Sequence, residues 1–190
     1  MSRSLSLGAI LIPCLFFTAF AEYTFQSRCL SFTPESYSYN SSRTVLDYIP
    51  AGTNLSFPDN DPTCARPSQL VTVDLCRVGL SIPTSNRSSI SFELWLPENW
   101  SGRFLSTGNG GIDGCRFFTP VQHIPQQHGR PSSGLTKNIG IKYEDLAYAA
   151  ANSFAAVGSN NGHNGTTAIT MYQNSDVVTD FAWRSCVSLI

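Results

Sequence analysis

Three glycines fall among the four consecutive residues Gly108-Asn109-Gly110-Gly111, just after a short apolar run at Phe104-Leu105. With no side chain in the way, the backbone N–H groups of such a loop can approach a carbonyl oxygen and stabilise the charge that grows on it during acyl transfer. Asn109, Gly110 and Gly111 are therefore candidate oxyanion-hole residues. That role needs a nucleophile as partner, usually a serine on a sharp turn between a strand and a helix. The pattern Gly-x-Ser-x-Gly occurs nowhere in the 190 residues. The sequence holds one wall of an acyl-transfer site, and we find no catalytic nucleophile, acid or base in it.

Other reactive residue types are present but poorly placed. His163 sits in the Gly/Asn-rich run Gly158-Ser159-Asn160-Asn161-Gly162-His163, where a histidine is expected to be structural and hydrogen-bonded to backbone. Cys186-Val187-Ser188 has its serine one place too far from the cysteine for a Cys-Ser turn, and no glycine follows. No two cysteines have Cys-x-x-Cys spacing, and His123, His128 and His163 lie far from any cysteine, so no metal site is expected and disulfides are the default. Cys29, Cys64, Cys76 and Cys115 allow three connectivities, and Cys186 is left over.

The candidate loop has to be held by the elements around it. Val71, Val73 and Leu75 alternate with polar residues and predict a strand; Ile90, Phe92, Leu94 and Leu96 predict a clearer one. Pro97 to Gly102 supplies turn chemistry, and Arg103 to Ser106 predicts the strand that delivers the glycines. Residues 120–140 read as a long surface loop. Tyr143, Leu146, Ala147 and Ala150 then take helical spacing, with Glu144 and Asp145 in the first turn and Asn152 as the left-handed end. Phe154 to Val157 predicts a short buried strand. Asn174-Ser175-Asp176 is expected to cap a last helix bearing Val177, Val178, Phe181 and Ala182. Residues 22–68 lack a sustained period and read as an irregular wrap stapled by Cys29 and Cys64. The order predicts an α/β sheet whose first strands are antiparallel and whose later ones are parallel.

The first 21 residues read as a signal peptide: Arg3, an apolar Leu5–Phe17 too short to span a bilayer, and the small-x-small signature Ala19-Phe20-Ala21. Cleavage is expected before Glu22, with Cys14 removed and the rest secreted. Charged residues make up only 13% of the chain, about half the usual share, so its surface needs another source of solubility. Five N-glycosylation sequons offer one, at Asn40, Asn54, Asn86, Asn99 and Asn164. A net charge of −1 argues against nucleic-acid partners and anionic membrane surfaces.

Taken together, several stretches resemble the fungal tannase and feruloyl esterase family of secreted α/β-hydrolases. They are Phe92-Glu93-Leu94-Trp95-Leu96-Pro97 with Trp100-Ser101-Gly102-Arg103-Phe104, then Gly108-Asn109-Gly110-Gly111, Tyr143-Glu144-Asp145-Leu146-Ala147, Phe154 through His163, and Asp180-Phe181-Ala182-Trp183-Arg184. The resemblance implies that residues 22–185 are the N-terminal part of a catalytic domain, an incomplete α/β-hydrolase sheet, with 186–190 a divergent tail. It implies hydrolysis of small phenolic esters of sugars or alcohols by a serine nucleophile, and the disulfides Cys29–Cys76 and Cys64–Cys115. The family's Cys-Ser-x-Gly-Gly nucleophile turn, its acid and base, and the lid that binds calcium are all missing from this sequence. The chain alone is thus expected to be an inactive, truncated product. The alternative is a non-catalytic secreted glycoprotein that binds phenolic or carbohydrate ligands.

Overall fold

The computed structural model describes residues 23–185 except 39, 59, 65, 109–140 and 142. Among the described residues seven strands form two sheets. The larger sheet contains β1 (Ser42–Ile49), β4 (Leu75–Ser85), β5 (Ser88–Pro97), β6 (Arg103–Thr107) and β7 (Phe154–Ser159), in the order β1-β4-β5-β7-β6. The small sheet pairs β2 (Asn54–Ser56) with β3 (Ser68–Leu70). Within the larger sheet β1, β4, β5 and β7 pair antiparallel in turn, and β6 pairs parallel with β7. The expected mixed sheet is present.

Its register sorts the apolar residues onto two faces. Cys76 lies opposite Leu96, Val78 opposite Leu94 and Leu80 opposite Phe92 on one face; Arg77 lies opposite Trp95 and Gly79 opposite Glu93 on the other. The second face is covered by α2 (Tyr143–Ala151), whose Leu146, Ala149 and Ala150 pack with Leu75, Trp95 and Ala156 into the main core. The expected amphipathic spacing gives this helix one buried stripe. Asn152 continues past it with its amide donating to the Tyr148 carbonyl, and Ser153 takes the left-handed conformation (φ 63°) expected of Asn152.

The first face is capped at one end by α1 (Phe25–Leu30), which the Cys29–Cys76 disulfide joins to β4. Thr24 caps this helix by accepting from the Ser27 N–H. Cys64 is also disulfide-bonded, but Cys115, its expected partner, lies outside the described residues. So do residues 1–21, expected as a signal peptide, residues 120–140, expected as a loop, and Cys186 with the rest of the expected tail.

Three expectations change. Residues 22–68 are not irregular: they hold α1, β2 and the edge strand β1, whose polar outer residues hide its period. The strand expected at Val71–Leu75 is displaced. Val71 exchanges hydrogen bonds with Gly52 and Thr53, and the Asp74 carboxylate accepts from the Tyr48 hydroxyl (2.6 Å) and the Ala51 N–H, so β4 starts only at Leu75 and runs on to Ser85. Asn174 makes no side-chain cap on α3 (Ser175–Thr179), which continues as one π-helical stretch, Asp180–Arg184. In that segment Val177 is buried and Phe181 half-buried, while Val178 and Ala182 are exposed.

Candidate functional site

β6 and β7 run parallel, so both deliver their following loops at the same end of the sheet. This carboxyl end is where open α/β sheets place ligands. Thr107 closes β6, with its buried hydroxyl donating to the Val157 carbonyl (3.1 Å), and Gly108 leaves the strand towards the glycine loop. Asn109, Gly110 and Gly111 lie outside the described residues. What the structure places is their point of departure, on the outermost strand. Among the described residues nothing pairs with the outer side of β6, and Phe104 and Leu105 stand 54% and 40% exposed.

The loop after β7 is held rigidly by its own polar side chains. Asn160 Oδ1 accepts from the backbone N–H groups of Ser91 and Gly162, both at 3.0 Å, and its Nδ2 donates to Asn164 Oδ1. Gly162 turns with φ +78°, and a Cβ there would come within 2.4 Å of Asp180 Cβ, so both backbone and space demand glycine. His163 donates its backbone N–H to the Asn160 carbonyl, and its ring packs edge-on to Phe181, 3% exposed. It is part of the packing of this loop.

Beneath the site, Glu93 gathers four donors. Arg77 binds it in bidentate fashion (Nε 2.7 Å, Nη2 2.5 Å), Tyr143 donates its hydroxyl (2.8 Å) and Trp95 its indole N–H (3.1 Å). Phe57 stacks on Tyr143 at 3.6 Å between ring centres, and the Arg77 guanidinium lies over both rings. A buried carboxylate is tolerated because every oxygen is paired. Burial, and then the Glu93 charge, push the Tyr143 hydroxyl well above the usual tyrosine range. For Arg77 burial works the other way, but the hydrogen bonds and charge of Glu93 prevail and hold the guanidinium firmly protonated. This cluster joins β4, β5 and the first residue of α2, fixing where the chain re-enters after the glycine loop.

A second polar cluster was not foreseen from the sequence. Asp180, fully buried, accepts from Thr84 (2.5 Å), Ser88 and Arg184 (2.8 Å); Asp176 accepts from Ser85 (2.9 Å) and Arg87 (3.2 Å). The Ser85 hydrogen bond, and then Arg87 against slight burial, hold Asp176 below the usual carboxylate range. These bonds tie the β4–β5 hairpin to α3. The only sequence signal was the i, i+4 spacing of Asp180 and Arg184.

Among the described residues no three His, Cys, Asp or Glu side chains gather to hold a metal ion. Among the same residues no helix is long and apolar enough to cross a membrane.

No protein-family model matches the chain. Among solved structures its fold is similar to an esterase from Aspergillus oryzae (TM-score 0.69) and to feruloyl esterase B of the same organism (TM-score 0.67). Both are 41% identical, over 85% of this chain and 27% of theirs. The solved structures that this fold resembles are thus esterases. The protein named "Probable feruloyl esterase B-2" of Aspergillus flavus is 58% identical over 161 residues, and feruloyl esterase C of Talaromyces stipitatus is 41% identical over 161. The chain is similar to the N-terminal portion of these feruloyl esterases, and it spans about a quarter (26%) of the length of these curated relatives.

Proposed function

We propose that this chain is the N-terminal part of a secreted carboxylic ester hydrolase, acting in its intact form on small phenolic esters, and that the chain alone is inactive. The observation that carries the reading is the position of β6: among the described residues it stands at the edge of the sheet, with Phe104 and Leu105 exposed on its two faces and the glycine loop following its carboxyl end. An α/β-hydrolase places its nucleophile on the next strand outward, and among the described residues nothing occupies that side of β6. In this reading Gly110 and Gly111 supply an oxyanion N–H. A serine from the remainder attacks the ester carbonyl after a histidine takes its proton, and an acid orients the histidine. Residues 1–21 direct the chain to the secretory route.

Hydrolysis of a methyl hydroxycinnamate by two purified proteins tests this. The 190-residue chain should show no turnover above an empty-vector control. A chimera joining residues 1–185 to the remaining three-quarters of the Aspergillus flavus relative should turn over. Turnover by the chain alone, abolished by His163→Ala or Ser188→Ala, would place the site elsewhere. Ligand binding by the chain with no turnover by the chimera would favour the non-catalytic glycoprotein.

A further inference from the structure

Two of the five sequons open onto one cleft. The space between the β4–β5 hairpin, the loop after β7 and the start of α3 measures about 690 Å³, and its lining includes both Asn86 and Asn164. Most of the other lining residues carry a hydroxyl or an amide, among them Ser81, Ser89, Ser91, Asn160 and Asn174, and Pro83 and Val177 add apolar surface. Arg87 is the sole charged residue of the lining, and its guanidinium is already bound to Asp176. Such a surface offers hydrogen bonds without charge, which suits neutral sugar hydroxyls and acetamido groups.

The two asparagines differ in their freedom. Asn86 is exposed at the tip of the hairpin, one of two residues between the paired Ser85 and Ser88, and its amide makes no hydrogen bond among the described residues. The tip itself is fixed, because Ser85, Arg87 and Ser88 all bind Asp176 or Asp180. Asn164 is half-buried, and its Oδ1 is held by Asn160 Nδ2 at 3.2 Å. The rest of that sequon is clamped. Gly165 is buried with φ +79°, and a Cβ there would lie 2.9 Å from Thr63 Oγ1, which also accepts the Thr166 N–H. A glycan on Asn164 would have to start inside the cleft, from a side chain already engaged in its wall.

We propose that Asn86 carries an N-glycan whose first sugars lie in this cleft, and that Asn164 is left unmodified. The proposal rests on the secretory reading given above. A rigid hairpin tip sets the direction of the first sugar, and the polar lining meets its hydroxyls and acetamido group. In a chain with so few charges, a sugar packed on the fold covers polar surface left open by the described residues.

The full 190-residue chain, expressed in a fungal secretory host, supplies the test. Glycopeptide mass spectrometry should find Asn86 occupied and Asn164 bare; this occupancy does not depend on how well any variant folds. The Asn86 glycan should resist peptide-N-glycosidase on the native protein and be released after denaturation, whereas one on Asn54 should be released from both. Asn86→Gln should lower the melting temperature by about 2–4 °C, the size expected for one good contact in a chain of this length, with Asn54→Gln near neutral. Trimming all glycans to the first sugar with an endoglycosidase should keep most of the difference. Occupancy at other sequons with a bare Asn86 would overturn the proposal, as would equal release from Asn86 and Asn54 of the native protein. Restoration of Asn86→Gln stability by free N-acetylglucosamine oligomers would show a sugar site that needs no linkage. A chain retained in the cell with all five sequons bare would overturn the secretory reading, and this proposal with it.

Discussion

Tyr143 shows how one buried side chain can hold a site together. Its hydroxyl donates to Glu93 at 2.8 Å while its ring stacks on Phe57 and meets the Arg77 guanidinium. Only the neutral phenol can donate there, and burial together with Glu93 raises its pKa above that of an unfolded chain. A group whose folded pKa is raised contributes stability that is complete below the unfolded value, about 10 for tyrosine, and is lost as pH climbs from there through the folded value. Urea unfolding of the wild type should therefore weaken steeply above about pH 10. Tyr143→Phe should cost about 1 kcal/mol at pH 7 and fall off less steeply in alkali. Equal alkaline slopes for the two proteins would mean that Tyr143 is not held neutral by its surroundings.

At the scale of elements, the Cys29–Cys76 bridge joins α1 to β4 across 47 residues of sequence. In the chain-entropy model a loop of that length is worth about 4 kcal/mol. Replacing both cysteines with serine should lower unfolding stability by most of that amount, and a loss under about 1 kcal/mol would show that α1 is held by packing alone.

The elements legible in the sequence were those with a strong period or buried on both faces: β5 with its alternating Ile90, Phe92, Leu94 and Leu96, the α2 stripe, and the apolar β7. β1 was missed because it is an edge strand, so its outward residues Ser42, Arg43, Thr44 and Asp47 erase the alternation. The strand expected at Val71–Leu75 was misplaced because that alternation is local: Val71 and Asp74 are bonded to residues 48–53, and β4 runs on from Leu75 through Pro83, tolerated where the register shifts before Ser85. Of the site, the point where the glycine loop begins was readable from Phe104 to Gly108. The Asp180 cluster was not, since Thr84 and Ser88 lie 96 and 92 residues away and only the fold brings them together.

For the molecule as a whole, the weak point is the outer flank of β6. Among the described residues nothing pairs with this edge, and an open strand edge with Phe104 and Leu105 exposed beside it invites pairing with another chain. The purified 190-residue chain should therefore self-associate as its concentration rises, as read by light scattering, and Phe104→Lys should suppress this. A monomer at all concentrations would show the flank to be covered. The same flank is where the proposed esterase would be completed, and the glycine loop is what this chain would contribute to its chemistry. The most direct test is turnover of a methyl hydroxycinnamate by the chimera carrying Gly110→Val or Gly111→Val, beside Gly114→Ala as control and with thermal unfolding measured in parallel. A Cβ branch blocks close backbone approach, and loss of one oxyanion donor costs about 10²–10³ in turnover. At least one Val variant should fall by that factor with its melting temperature kept, and Gly114→Ala should stay near the parent. Near-parental turnover in both Val variants, or a loss matched by an equal loss of melting temperature, would contradict the assignment of this loop to the oxyanion.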